Sequence, residues 1–170
     1  FEAELLEKWE VNGSEYKLDG IFDLLRNVWC DGDEQLFKYV LSWFHYAFKY
    51  PHKKNKVAII LYSAMQQVGK GIFINEFLIP YIYGEALSMS VSGLTDLVAN
   101  FNAQFMNKLF VNCDELQSLS GDFHGTFDAL KKIITDPTTS IKIKYSEPLI
   151  NYPDFSNYIL IYQNIGVEIY

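Results

Sequence analysis

The sequence predicts an α/β fold: a mainly parallel sheet flanked by helices, with a helical N-terminal part in front of it. Three observations predict this. Apolar runs of strand length recur at VAIIL (57–61), KLFVNCDE (108–115) and NYILIYQN (157–164). Segments of helical period separate them, and a long amphipathic helix precedes them all. A chain of 170 residues, 49% of them hydrophobic, can build one real core, which excludes disorder, collagen-like repeats and a disulfide scaffold.

In chain order, FEAELLEKWE has apolar residues at helical spacing and stops at Asn12-Gly13. A second helix is expected from Asp19 to Trp29, broken by Asp31-Gly32. A third is expected from Asp33 to Tyr50, ended by Pro51. Its apolar positions Leu36, Val40, Trp43, Phe44, Ala47 and Phe48 form one stripe. The basic connector HKKNK (52–56) reads as solvated and marks the seam between a helical part (1–51) and a sheet-bearing core (52–170). VAIIL then reads as a strand buried on both faces. The segment IFINEFLIPYIYG reads as a helix ended by Pro80 and Gly84. A short strand near Leu87–Val91, helices near Leu94–Phe101 and Phe123–Ile134, and a β-rich end (SIKIKY, LINY, NYILIYQN) complete the pattern.

Charge and termini bound the function. The net charge of −7 excludes a chain coated in positive charge, so contact with nucleic acid has to come from a local patch. No apolar run reaches the roughly 18 residues of a membrane span. Cys30 and Cys113 lie far apart without metal-ligand spacing and read as free thiols in a reducing compartment. The chain opens on Phe1 with no signal-peptide pattern. It reads as a segment of a longer cytoplasmic protein that is not secreted.

Four motifs can carry chemistry. The first is the loop after VAIIL, Ala64-Met65-Gln66-Gln67-Val68-Gly69-Lys70-Gly71, followed by Ile72 and a helix. Small residues let backbone N–H groups converge on phosphates, the helix presents its positive end, and a lysine reaches the terminal phosphates. Ala64 stands where the standard pattern has glycine, and Gly71 where it has a hydroxyl for Mg²⁺. The alternative is a tight turn with a solvated lysine. The second motif is Asp114-Glu115 at the end of an apolar strand, where one carboxylate can serve Mg²⁺ and the other can polarise an attacking water. The third is Gln163-Asn164 at another strand end, an amide able to sit between a terminal phosphate and that water. The fourth is a lysine hairpin: Lys142 and Lys144 alternate with apolar residues and share a strand face, and Tyr145 can stack on a base. A plain solvated face is the alternative there. His45, His52 and His124 show no metal spacing.

The order of Gly-Lys loop, apolar-Asp-Glu strand, lysine hairpin and strand-end Asn resembles the superfamily 3 helicases of viruses, phages and plasmids, above all the ATPase part of poxvirus- and phage-type primase-helicases. FKYVLSWFHYAFKYP, GLTDLVANFNAQFMNKLFVNCDE and LKKIITDPTTSIKIKYSEP are similar to further segments of that family, so the likeness covers roughly residues 20–170. It implies a P-loop NTPase of AAA+ type that hydrolyses ATP with Mg²⁺ between subunits of a ring, a hexamer, and translocates on single-stranded DNA in the pore. It also implies an upstream primase or polymerase domain and work in the host cytoplasm or at a viral replication site. Carried over by position, Ala64, Gln67, Val68, Gly69, Lys70, Gly71 and Ile72 would hold the nucleotide. Asp114 would serve Mg²⁺, Glu115 would be the catalytic base and Asn164 the sensor, and Lys142, Lys144 and Tyr145 would meet DNA. Arg26 is the single arginine here, and the arginine finger of such ATPases would fall past Tyr170. The competing reading is a weakened P-loop module that binds nucleotide and mediates assembly without turnover.

Overall fold

The computed structural model describes residues 9–11, 14–16, 19–63, 69–99, 101–116 and 123–163. It opens with a small antiparallel hairpin in which β1 (Trp9–Val11) pairs with β2 (Ser14–Tyr16), Val11 opposite Ser14. The helix expected over FEAELLEKWE is thus corrected at Trp9 and Glu10, which are strand residues. Asn-Gly between two short runs is a strong hairpin signal; residues 1–8 of that expectation lie outside the described residues.

Helix α1 (Asp19–Asp23) continues as a π-helical segment, Leu24–Trp29, and the chain turns at Asp31 and Gly32, both at positive φ. Helix α2 (Glu34–Lys49) starts at Asp33, whose carboxylate accepts the N–H groups of Gln35 (2.8 Å) and Leu36 (3.0 Å). That cap satisfies two of the donors every helix start leaves open. The buried stripe of α2 is Phe37, Val40, Trp43, Phe44 and Ala47, whereas Leu36 and Phe48 are exposed.

Four parallel strands follow, β3 (Ile59–Ser63), β4 (Ser88–Val91), β5 (Phe110–Leu116) and β8 (Asn157–Gln163), in the spatial order β3-β8-β5-β4. Helix α3 (Phe73–Tyr83) and the short α4 (Gly84–Leu87) connect β3 to β4. The single turn α5 (Leu94–Leu97) follows β4, and α6 (Phe123–Thr135) follows β5. An antiparallel pair, β6 (Thr138–Ile141) and β7 (Leu149–Pro153), lies between α6 and β8. The sheet is therefore α/β and parallel, flanked by helices.

Side-chain alternation divides the core in two. Phe110, Ile159 and Ile161 join Leu25, Trp43, Phe44, Phe73, Ile74 and Leu78 on one face, so α1, α2 and α3 share a core with the sheet. Val111, Cys113, Tyr158 and Leu160 join Leu94, Leu97 and Leu130 on the other. Each large apolar side chain so buried contributes about 1.5–3 kcal/mol. Trp29, Phe44 and Phe73 form an edge-on aromatic cluster, with ring centroids 5.6–6.1 Å apart, that fixes α3 against the N-terminal helices.

Two expectations are corrected here. β3 is covered on one face only: Ile59 and Leu61 are buried, but Ile60 is 60% and Tyr62 61% exposed. β3 is an edge strand, and the core built by α5 and α6 lies over β4, β5 and β8. Burial on both faces does hold for the inner strand β8. Second, Pro80 does not end its helix. α3 is π-helical and runs through it to Gly84, whose N–H bonds to the Ile79 carbonyl. The wider turn accommodates a ring that an α-helical turn would press against the carbonyl four residues back.

Candidate nucleotide site and lysine hairpin

Because all four strands are parallel, their carboxyl ends share one edge, the edge where open α/β sheets bind ligands. The loop leaving β3 reaches that edge. Ala64, Gln67 and Val68 lie outside the described residues, as does Asn164. Gly69 has φ +87°, a conformation that disfavours any side chain. A Cβ at Gly69 would only touch Ile72 and Leu24 at 3.5 and 3.6 Å, so the backbone angle requires glycine and crowding does not. At Gly71 a Cβ would stand 3.2 Å from Asn75 Nδ2 and 3.9 Å from Ile161 Cδ1. The start of α3 thus sits directly over β8, and the Asn75 amide occupies the space beside the position where a hydroxyl was expected. Ile72, just ahead of α3, has an exposed side chain.

Lys70 is only 7% exposed, and its partner among the described residues is the Tyr162 carbonyl, 3.5 Å from Nζ. Burial lowers its pKa below the ordinary lysine value. Among the described residues one long carbonyl contact meets this ammonium, and an anion would complete its surroundings.

The acidic strand meets the same place. Cys113 pairs with Leu160 and Leu116 with Tyr162, so β5 advances three residues while β8 advances two. Asp114 and Glu115 therefore form a bulge opposite Ile161, the residue over which Gly71 sits. Bulges occur next to active sites, where they re-aim side chains. Neither the bulge nor Asn75 was legible in the spacing of residues. β8 lies between β3 and β5, so the Tyr162 carbonyl that meets Lys70 is on the strand next to the acidic one, opposite Leu116. Gln163 pairs with Ser63 at the end of β8. Among the described residues no group of three or more His, Cys, Asp or Glu could cage a metal. A divalent ion carried by phosphates and met by one or two carboxylates fits Asp114 better than a protein-only cage would.

Cys113 is buried beside these carboxylates. Burial, then the charges of Asp114 and Asp96, push its thiol up to about 11, and burial raises Cys30 as well. Both cysteines are free. The folded form keeps the Cys113 proton more tightly than the unfolded chain, whose ordinary value is 9.0. The corresponding stability is fully present below pH 9 and is lost as pH rises towards 11. Alkylation by iodoacetamide at pH 8 is expected to label neither thiol in the native protein and both in denaturant. Fast native labelling of Cys113 would contradict its burial.

The hairpin differs from its expected form. β6 ends at Ile141, and Ile143–Ser146 is a turn closed by the Ser146 N–H on the Ile143 carbonyl, with Tyr145 at φ +64°. Lys142 and Lys144 therefore do not share a strand face, because the chain turns before the alternation can continue. Both lysines are exposed, Tyr145 is 93% exposed, and Lys144 Nζ lies 5.0 Å from the Tyr145 ring centroid. The base of the hairpin adjoins the amino ends of β5 and β8, the edge opposite Lys70. The length of a seven-residue strand, about 20 Å, separates the two places.

The solvated connector is also corrected. Lys54 is 8% exposed, and its ammonium donates to the carbonyls of Ile133 and Asp136 and to Asp154 Oδ2 at 2.6 Å. The first two contacts place a cation at the negative end of α6. Burial lowers the Lys54 pKa, and Asp154 and Asp136 oppose that shift. Arg26 is engaged locally: Nε stands 2.8 Å from Glu34 Oε1, and the guanidinium lies over the Phe37 ring at 4.4 Å. The Nε contact is ionic, without hydrogen-bond geometry. No helix among the described residues is long and apolar enough to cross a membrane.

Residues 61–165, from within β3 to just past β8, match the model of a family described as a family of unknown function, DUF5906. The chain belongs to that family. Two solved structures are similar to this DUF5906 chain. The apo structure of the NrS-1 C-terminal region (305–718) superposes with a TM-score of 0.72 at 25% identity, covering 96% of this chain and 42% of that one. The A-form apo structure of the same region gives a TM-score of 0.66 at 26% identity, with the same coverages. The chain therefore spans about two-fifths of the solved region it resembles. No curated protein matches it.

Proposed function

We propose that this chain is the ATP-hydrolysing motor core of a replicative primase-helicase, working as a ring, a hexamer, on single-stranded DNA. What supports the reading is Lys70, a buried ammonium whose contact among the described residues is the Tyr162 carbonyl, on the strand next to the Asp114-Glu115 bulge. In this reading the amides of Gly69, Lys70 and Gly71 and the start of α3 cradle the β- and γ-phosphates. Lys70 neutralises charge on them, and Glu115 takes the proton of the attacking water while Asn164 orients that water. Mg²⁺, held through Asp114, would supply neutralisation of charge between the phosphates. Lys142, Lys144 and Tyr145 carry the backbone and stacking contacts to DNA. The arginine that stabilises the transferring phosphate is not Arg26, which Glu34 and Phe37 already engage.

The lack of a hydroxyl at Gly71 and Ile72 favours the second reading, a nucleotide-binding assembly module without turnover. ATP hydrolysis by the intact protein, with and without single-stranded DNA, separates the two. DNA-stimulated turnover that falls about 10²-fold or more in Glu115→Gln, with nucleotide binding retained, is expected of the motor. Binding without turnover in the wild type favours the module.

A further inference from the structure

The hairpin adjoins the amino end of β5 and the Asp114-Glu115 pair stands near its carboxyl end, and one short segment links the hairpin to that strand. Asn102 makes three hydrogen bonds to β6 and its exit. Its side-chain oxygen accepts the Lys142 N–H at 2.7 Å, its amide Nδ2 donates to the Ser140 carbonyl at 3.0 Å, and its backbone N–H donates to the Lys142 carbonyl at 3.3 Å. Five residues on, Asn107 Oδ1 accepts the Tyr152 hydroxyl at 2.7 Å, which ties the same segment to β7. The segment then runs straight into the sheet. The Lys108 carbonyl accepts Ser156 Oγ at 2.8 Å, the Leu109 carbonyl accepts the Asn157 N–H at 2.8 Å, and β5 begins at Phe110.

A cavity of about 300 Å³ is lined by Asn102, Phe105, Ile141, Tyr152 and Tyr158. Directional polar contacts tie the hairpin to residues 102–108 beside this pocket, while Ile141 of β6 is buried. A rigid strand with a bulge at its far end can carry a tilt of the hairpin to Asp114 and Glu115.

We infer that Asn102 is a positioning residue that couples the lysine hairpin to the acidic strand, with Asn107 as the second tie; the inference rests on the motor reading above. DNA held by Lys142 and Lys144 pulls on the hairpin, the pull passes through residues 102–108 into β5, and the geometry of Asp114-Glu115 responds. Asn102 is not among the residues assigned above to nucleotide or DNA. Its loss therefore acts on the coupling and leaves each separate event in place.

The test uses the intact protein and two readouts. In Asn102→Ala, amide hydrogen exchange across 138–153 is expected to rise about tenfold or more, while β5 and β8 amides stay as in the wild type. DNA stimulation of ATP turnover falls at least about fivefold, the lower end of ordinary allosteric coupling, with basal turnover within about twofold of wild type. Asn102→Asp keeps the acceptor for the Lys142 N–H and restores part of the stimulation. Unchanged hairpin exchange, or full stimulation in Asn102→Ala, overturns the coupling role. A wild type with no DNA-stimulated turnover overturns the motor reading itself and the coupling with it, and the exchange data then show separately whether the tie exists. Should Asn102→Ala fold poorly, Tyr152→Phe, which removes only a hydroxyl, is expected to give the same split in milder form, and its absence counts against the inference.

Discussion

Replacing Lys70 by alanine is expected to abolish nucleotide-dependent activity, by about 10²-fold or more, without lowering the stability of the protein. The two halves of that result share one cause. Among the described residues the buried Lys70 ammonium meets one carbonyl, at 3.5 Å, so these contacts return little of its desolvation. Removing it relieves that cost, and the melting temperature stays level or rises. Its lowered pKa gives the matching pH dependence. The unfolded chain binds the proton more tightly, so stability rises as pH climbs towards the ordinary value of 10.5. Thermal melts of wild type and Lys70→Ala at pH 8 and pH 10 check both points.

The second large effect has the opposite sign on stability. Lys54→Ala is expected to cost about 3–5 kcal/mol, as breaking a buried ion pair does when one charge is left behind. Asp154 would lose its cation, and the carbonyls of Ile133 and Asp136 would lose their donor, all at the junction of α6, the connector before β3 and the start of β8. Asp154 also accepts the Ser156 N–H at 2.9 Å, so its displacement disturbs the entry to the central strand. Lys54→Met combined with Asp154→Asn removes both charges and is expected to cost clearly less than the sum of the single changes. Denaturant unfolding of the four proteins in a double-mutant cycle measures this. Additive costs would mean that the pair is not coupled.

These two lysines show how far the sequence could be read. Both stand in short polar stretches beside Gly, Asn or Lys, and both are nearly fully buried. Nothing local distinguishes them, because what separates them among the described residues is the supply of acceptors brought by distant ones: three for Lys54, one weak one for Lys70. The parallel sheet was legible because VAIIL, KLFVNCDE and NYILIYQN are apolar runs of strand length separated by segments of helical period. Which face of β3 stays bare depends on strand order, and no local run encodes that. The turn at Ile143–Ser146 defeated an alternating pattern that four residues carried as well as a strand would. The bulge at Asp114-Glu115 follows from a register offset between strands more than forty residues apart, so it became visible only with β8 in place.

The most direct test of the central claim, that Lys70 is held for a phosphate, is the shift in melting temperature on adding Mg²⁺ and ATP or a non-hydrolysable analogue to the intact protein. The account predicts a rise for the wild type that grows with nucleotide concentration, as binding to the folded state alone requires, and none for Lys70→Ala. Equal shifts in the two proteins would contradict it, since the nucleotide would then be bound without the ammonium at Tyr162.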